Sequence, residues 1–348
     1  MKRLVLTSLS VILCGLFLST FDFRLSTVSA QIQQFTGGIN VTLNPTNPTP
    51  NSNVEVTVQD YLIDTLSANI TWIVNGKKVI SGIGKNDVNL TAPPLGKVEN
   101  VSVIISTPDG QTTQKDFVIK SGSVDMITES QGYAPPLYLG KPYFAFQDSV
   151  KIVAIPHLAN ASGKELDPST LVYRWKQDST VLQDQNGYGK QSVTITGNVI
   201  PRITHIYVTV STRDGSETAD GEVALTPASP SVAFYKDDPL YGVLYNSALG
   251  AATTFLDQEI TILASPFSFT IPSLTKNDLQ YSWNINGQDQ PALGKNRSVT
   301  LRVQNTGVDA SYPVQLNIQN NNQILQGISA GLSVMFKSTK NLSNAPQL

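Results

Sequence analysis

The side chains able to carry chemistry are few, and their spacing is poor for it. Gly327-Ile328-Ser329-Ala330-Gly331 has the Gly-x-Ser-x-Gly spacing that exposes a serine nucleophile when it sits on a strand-to-helix turn. That chemistry needs a histidine base later in the chain. Both histidines, His157 and His205, precede Ser329, and no helical periodicity follows it. The stretch therefore reads as a glycine-relieved bend near a final strand. His157 and His205 are also too far apart for a short metal-ligand motif, which leaves them as ordinary polar or interface histidines. Gly-Lys pairs recur along the chain, as at 84–85, 189–190 and 294–295, but Ser or Thr never follows the lysine, so no phosphate-cradling loop is present. Asp237-Asp238 is an acidic pair among aromatics and has the residue types for Ca²⁺ ligation or glycoside cleavage. A related stretch upstream has Ala134-Pro135 at the comparable place, so a solvated turn is the default reading. The sequence thus predicts no catalytic residue, no metal site and no cofactor.

The tyrosines offer a different chemistry. Tyr133-Ala134-Pro135-Pro136-Leu137-Tyr138 resembles Tyr235-Lys236-Asp237-Asp238-Pro239-Leu240-Tyr241, and Tyr143, Phe144, Phe146 and Tyr245 lie nearby. Aromatic rings on a β-domain can stack on sugar rings, contact a protein, or fill the space between consecutive domains. Each copy follows directly after a short linker. Tyr133, Tyr138, Tyr235 and Tyr241 are therefore expected at domain junctions, packed towards the preceding domain, with ligand contact or burial inside a single domain's core as the alternatives.

Such residues need elements to hold them, and the composition bounds what those elements are. The chain has 348 residues, enough for two or three domains with real cores. With 24 basic and 26 acidic side chains it has no electrostatic footprint for nucleic acid. Lys2 and Arg3, the apolar run from Leu4 to Phe21, and the small residues Val28-Ser29-Ala30 read as a secretory signal peptide cleaved after Ala30. An uncleaved membrane anchor is the rival reading, since about 18 apolar residues can just span a bilayer. Cleavage would take the net charge from −2 to −4 and remove Cys14, the only cysteine. No disulfide within the chain can form, so packing alone must hold the exported part together.

Three tryptophans then reveal a repeat. Ile70-Thr71-Trp72-Ile73-Val74-Asn75-Gly76, Val172-Tyr173-Arg174-Trp175-Lys176 and Gln280-Tyr281-Ser282-Trp283-Asn284-Ile285-Asn286-Gly287 all alternate apolar and polar residues, the period of a half-buried strand. Asn75-Gly76 and Asn286-Gly287 supply the left-handed residues of tight hairpins. Gly84-Lys85, Gly189-Lys190 and Gly294-Lys295 follow, each leading into an alternating strand, with the glycines 105 residues apart. A third marker is the strand and turn ending in Asp109-Gly110 and again in Asp214-Gly215. Its third copy, Tyr312 to Ile318, turns instead on Asn320-Asn321-Asn322. Short strands, frequent turn signals and no long helical period predict an all-β chain of three tandem sandwiches after the signal segment.

On these residues the chain resembles the tandem bacterial immunoglobulin-like or PKD-type domains of exported surface proteins, with Trp72, Trp175 and Trp283 as the core indoles between sheets. The expected division is a signal segment at 1–30, a linker at 31–37, sandwiches at 38–120, 124–227 and 231–337, and a disordered tail at 338–348. Residues 243–252 are expected to form the one short helix. The resemblance implies a non-enzymatic spacer, adhesive or assembly module, either extracellular, at the cell surface or periplasmic. Its partner would be a protein or glycan there, and it would touch membrane only through an uncleaved N-terminal segment. The alternative is an accessory module that binds carbohydrate or Ca²⁺ through the Tyr-rich elements.

Overall fold

The computed structural model describes residues 38–304 and 308–338, so the expected signal segment and the linker at 31–37 lie outside the described residues. The described chain folds as three two-layered β-units with three separate hydrophobic cores. One strand plan recurs. In the first unit Asn53–Gln59 lies between Asn40–Asn44 and Asp87–Thr91, and the facing sheet runs Lys77–Ile83, Asn69–Val74, Glu99–Ser106, Thr112–Ile119. The second unit sets Ser149–His157 between Ser123–Ser130 and Ser192–Thr196, opposite a sheet led by Val172–Gln177, Thr204–Ser211 and Thr218–Leu225. The third sets Glu259–Phe267 between Ser231–Asp238 and Ser298–Arg302, opposite Leu279–Ile285, Ala310–Asn320 and Gly327–Phe336. In every unit the chain crosses between sheets before and after the tryptophan strand, the Greek-key wiring of an immunoglobulin-like sandwich.

Alternation places the tryptophans. Ile70 and Trp72, Tyr173 and Trp175, and Tyr281 and Trp283 are the inward members of their strands and are all buried. An indole fills much of the space between sheets, and its N–H needs an acceptor once it is buried. The Gly-Lys marker supplies one. Trp72 Nε1 donates to the Lys85 carbonyl at 2.8 Å, and Trp175 Nε1 donates to the Lys190 carbonyl at 2.9 Å. Gly84 and Gly189 turn the chain into position with φ near +66° and +67°. The third unit reaches the same end differently. Gly294 caps a short 3₁₀ turn, Pro291–Leu293, at φ −53°, which moves the acceptor one residue on to the Asn296 carbonyl, 2.9 Å from Trp283 Nε1.

Two local expectations change. Residues 243–252 are not a helix: Gly242–Val243 pairs with Asp237–Asp238, and the amides of Leu244 and Leu249 donate to the carbonyls of Lys236 and Phe234. Pairing with the neighbouring strand takes up the backbone groups that a helix would use. The short helix is Ile271–Thr275, entered from Thr270 with Pro272 in its first turn, a position where a missing N–H costs nothing. At the C-terminal end of the described residues, Ser338 is buried, and its amide donates to Asp309 at 2.8 Å, so this residue belongs to the third unit and not to a loose tail.

Candidate functional site at the second junction

The stretch from Gln131 to Asp148 leaves the second unit's first strand, runs onto the third unit, and returns. Tyr133 donates its amide to the Phe269 carbonyl at 2.7 Å, and the Ile271 amide donates to the Gln131 carbonyl at 2.8 Å, around a bridge between Gly132 and Thr270. On the return, the Ala228 amide donates to the Phe144 carbonyl at 2.7 Å, beside a bridge between Ala145 and Ala228. The path is tight at Gly132, where a Cβ would stand 2.0 Å from the Tyr143 carbonyl oxygen. Only glycine fits there.

Behind these bridges lies a buried amide network. Gln326 is fully buried; its Nε2 donates to the Phe146 carbonyl at 2.6 Å, and its Oε1 accepts from Asn320 Nδ2 at 2.9 Å and from the Thr270 amide at 3.2 Å. Asn320 Nδ2 also donates to Ser273 Oγ, which accepts from Thr270 Oγ1 at 2.8 Å. Gln323 Nε2 donates to the Gln147 carbonyl, and Gln147 Oε1 accepts the Leu325 amide, each at 3.1 Å. The network thus joins polar groups of both units out of water, where an unmade bond is costly.

The four expected tyrosines separate. Tyr133 and Tyr138 lie at this junction. The Tyr138 ring meets Phe267 of the third unit edge-on at 5.9 Å, and its hydroxyl donates to the Tyr143 hydroxyl at 2.9 Å, a bond that raises its pKa. Their partner is the following unit, not the preceding one. Tyr235 packs inside the third unit against Tyr245, ring centroids 5.1 Å apart, and burial raises both hydroxyls. Tyr241 is exposed at a hairpin tip, its amide held by Asp238 Oδ1. The glutamines escaped sequence reasoning because single amides carry no period and no motif. The dense polar turn Asn320-Asn321-Asn322-Gln323 was the one local signal.

Asp148 borders the same segment. It is buried, its Oδ1 accepts the Ser149 amide at 2.8 Å, and its Oδ2 has no partner. Burial pushes its carboxyl up to about 6, opposed by the main-chain amides around it.

The other chemically capable residues are held in local structure. Asp238 accepts the Leu240 amide at 3.0 Å, which lowers its pKa, and meets Lys236 at 3.3 Å, so the acidic pair closes a turn. His157 faces Asp125 at 3.2 Å; His205 contacts Glu222 at 2.8 Å and stacks on Tyr207. Ser329 lies mid-strand opposite Asn317 and not on a strand-to-helix turn. Among the described residues, no three metal-type side chains gather closely enough to hold an ion.

Above the short helix the two units enclose a cleft of about 800 Å³, lined by Tyr133 from the second unit and by Ile271, Leu274, Tyr281, Lys295 and Arg297, among others, from the third. The Tyr281 ring is buried, and burial pushes its hydroxyl up to about 12 against the pull of the Arg297 charge.

No protein-family model matches the chain, and no curated protein matches it. Solved structures with some likeness include the three N-terminal domains of the Highly Immunogenic Outer Capsid protein of bacteriophage RB49, at 11% identity, covering 87% of this chain and 99% of that one, TM-score 0.23. The central fibronectin-III array of RIM-binding protein is 12% identical over 85% of this chain and 96% of its own, TM-score 0.27. A region of a bacterial ice-binding adhesin is 8% identical over 87% and 97%, TM-score 0.22. Likeness at this level carries no argument about function, and the immunoglobulin-like assignment rests on the strand wiring above.

Proposed function

We propose that this chain is a non-enzymatic exported module of the bacterial immunoglobulin-like or PKD type. In this reading its three sandwiches act as a semi-rigid spacer that holds an adhesive or assembly surface away from the membrane or cell wall. The observation that carries the reading is the second junction. Short connections alone restrict rotation only weakly. Here a returning loop, a main-chain bridge from Gly132 to Thr270 and a buried amide network span two consecutive units, and a second bridge ties the loop to the connecting residue Ala228, which favours a fixed angle over a free joint. Export is supported by Lys2 and Arg3 ahead of the apolar run Leu4 to Phe21. The loops at the sandwich ends and the free sheet edges are the surfaces such a module offers to a protein or glycan.

Small-angle scattering tests the spacer. The expected result is one extended envelope that is unchanged between low and high salt at the second junction. A profile that requires an ensemble of angles there overturns the reading. Protease shaving of intact cells, with sequencing of the mature N-terminus, tests the location. The expected outcome is surface digestion and a mature chain beginning at Gln31, or an intact leader retained in the membrane fraction. Recovery of the intact chain in the cytosol overturns export.

A further inference from the structure

We propose that the cleft between the second and third units binds a carboxylate-bearing sugar, with Arg297 and Lys295 holding the acid and Tyr281 a ring hydroxyl. The volume of about 800 Å³ suits an oligosaccharide of a few rings. Charge selects the ligand class. No Asp or Glu lines the cleft, while Lys295 and Arg297 both do, in a chain whose overall charge is −2. Neither cation forms an ion pair with an acid among the described residues. Two unpaired cations in a cleft without acids attract an anion, and a guanidinium grips a carboxylate through two parallel hydrogen bonds.

The remaining lining favours a sugar over a peptide. The Tyr281 ring is buried, yet its hydroxyl opens on the cleft with no protein partner. Asn277, Thr275 and Ser298 add neutral donors and acceptors, while Ile271 and Leu274 provide an apolar floor for the C–H face of a ring. A peptide adding as a strand needs free main-chain groups. Here the Tyr281 amide already donates to the Gly294 carbonyl at 3.2 Å, and the Arg297 carbonyl accepts the Ala264 amide at 2.8 Å. Tyr133 completes the wall only because the second unit folds over the third, so this site is a property of the closed junction.

Titration calorimetry on the full mature chain tests the site with trigalacturonate and sialyllactose as probes, neutral lactose and maltotriose as controls, and tetraglutamate as the peptide rival. Binding of at least one acidic sugar, weakened by salt and not matched by the controls, is expected. Arg297→Gln should reduce that binding roughly tenfold, the usual scale for a lost charge-assisted hydrogen bond. Tyr281→Phe, which keeps the buried ring, should reduce it roughly threefold. Circular dichroism checks that both variants remain folded. Neutral sugars binding as well as acidic ones, tetraglutamate binding in preference to them, no binding to either acidic probe, or unchanged affinity in Arg297→Gln would each overturn the proposal. The site shares the closed second junction with the spacer reading; a single junction angle in scattering without acidic-sugar binding overturns this proposal alone, and an ensemble of angles overturns the spacer reading.

Discussion

The two junctions of this chain are built from different materials. Between the first and second units the side-chain bonds are polar and partly exposed, around close main-chain packing at Gly96 and Gly122. Lys120 reaches Glu217 at 2.6 Å and the Ser216 carbonyl at 2.9 Å, Asn47 donates to Asp220 at 2.8 Å, and the Gly122 amide donates to the Pro48 carbonyl at 3.2 Å. Gly96 approaches Gly163 so closely that a Cβ on it would stand 2.8 Å from the Gly163 Cα. Between the second and third units the contacts are a main-chain bridge, a fully buried glutamine and an aromatic pair. Partly exposed ion pairs contribute little and fade with salt, whereas buried amide networks are costly to leave half made. The side-chain bonds of the first junction are therefore the more salt-sensitive of the two sets.

The contrast can be broken most sharply at Gln326. Gln326→Ala strands the Phe146 carbonyl and the Thr270 amide and removes one acceptor of Asn320 Nδ2, and should cost about 2–4 kcal/mol, read as a lower thermal midpoint with broadened scattering at the second junction. Gly132→Ala forces the Tyr143 main chain aside and should cost about 1–3 kcal/mol by chemical denaturation. Asp148 sharpens the comparison through pH. Because burial raises its pKa in the folded state, folding takes up a proton between the ordinary carboxylate value near 4 and about 6. Stability is then greatest below that window and falls as pH rises through it. Asp148→Asn should flatten this slope, recovering about 1–3 kcal/mol above pH 6 in urea titrations at several pH values. The smallest effect belongs to the first junction. Glu217→Gln should change stability by less than about 1 kcal/mol yet broaden the range of angles between the first two units, and high salt should mimic it in scattering profiles.

The sequence disclosed the parts of this molecule that depend on short-range geometry. Period-two alternation around Trp72, Trp175 and Trp283 sets which face turns inward, and Asn75-Gly76 and Asn286-Gly287 are hairpin turns with both residues at positive φ. Even the Gly-Lys marker was visible before its purpose, which is to present the Lys85 and Lys190 carbonyls, and in the third unit the Asn296 carbonyl that follows it, to the indoles. Less legible was anything decided between distant segments. Residues 243–252 have helix-tolerant residue types, yet their amides pair with Ser231–Asp238. The tyrosines at 133 and 138 announced a junction, but the unit they would fold over depends on Phe267, Phe269 and Gln326, which lie more than a hundred residues away. The cleft was hidden for the same reason, since Tyr133 and Arg297 meet only after two units have folded.

Each indole N–H bonded to a loop carbonyl is a cross-brace that no redox agent can cut. A protein braced in this way keeps its shape whether its surroundings are oxidising or rich in thiols, so it can be produced in a reducing cytosol and function in an oxidising exterior without any change of covalent state.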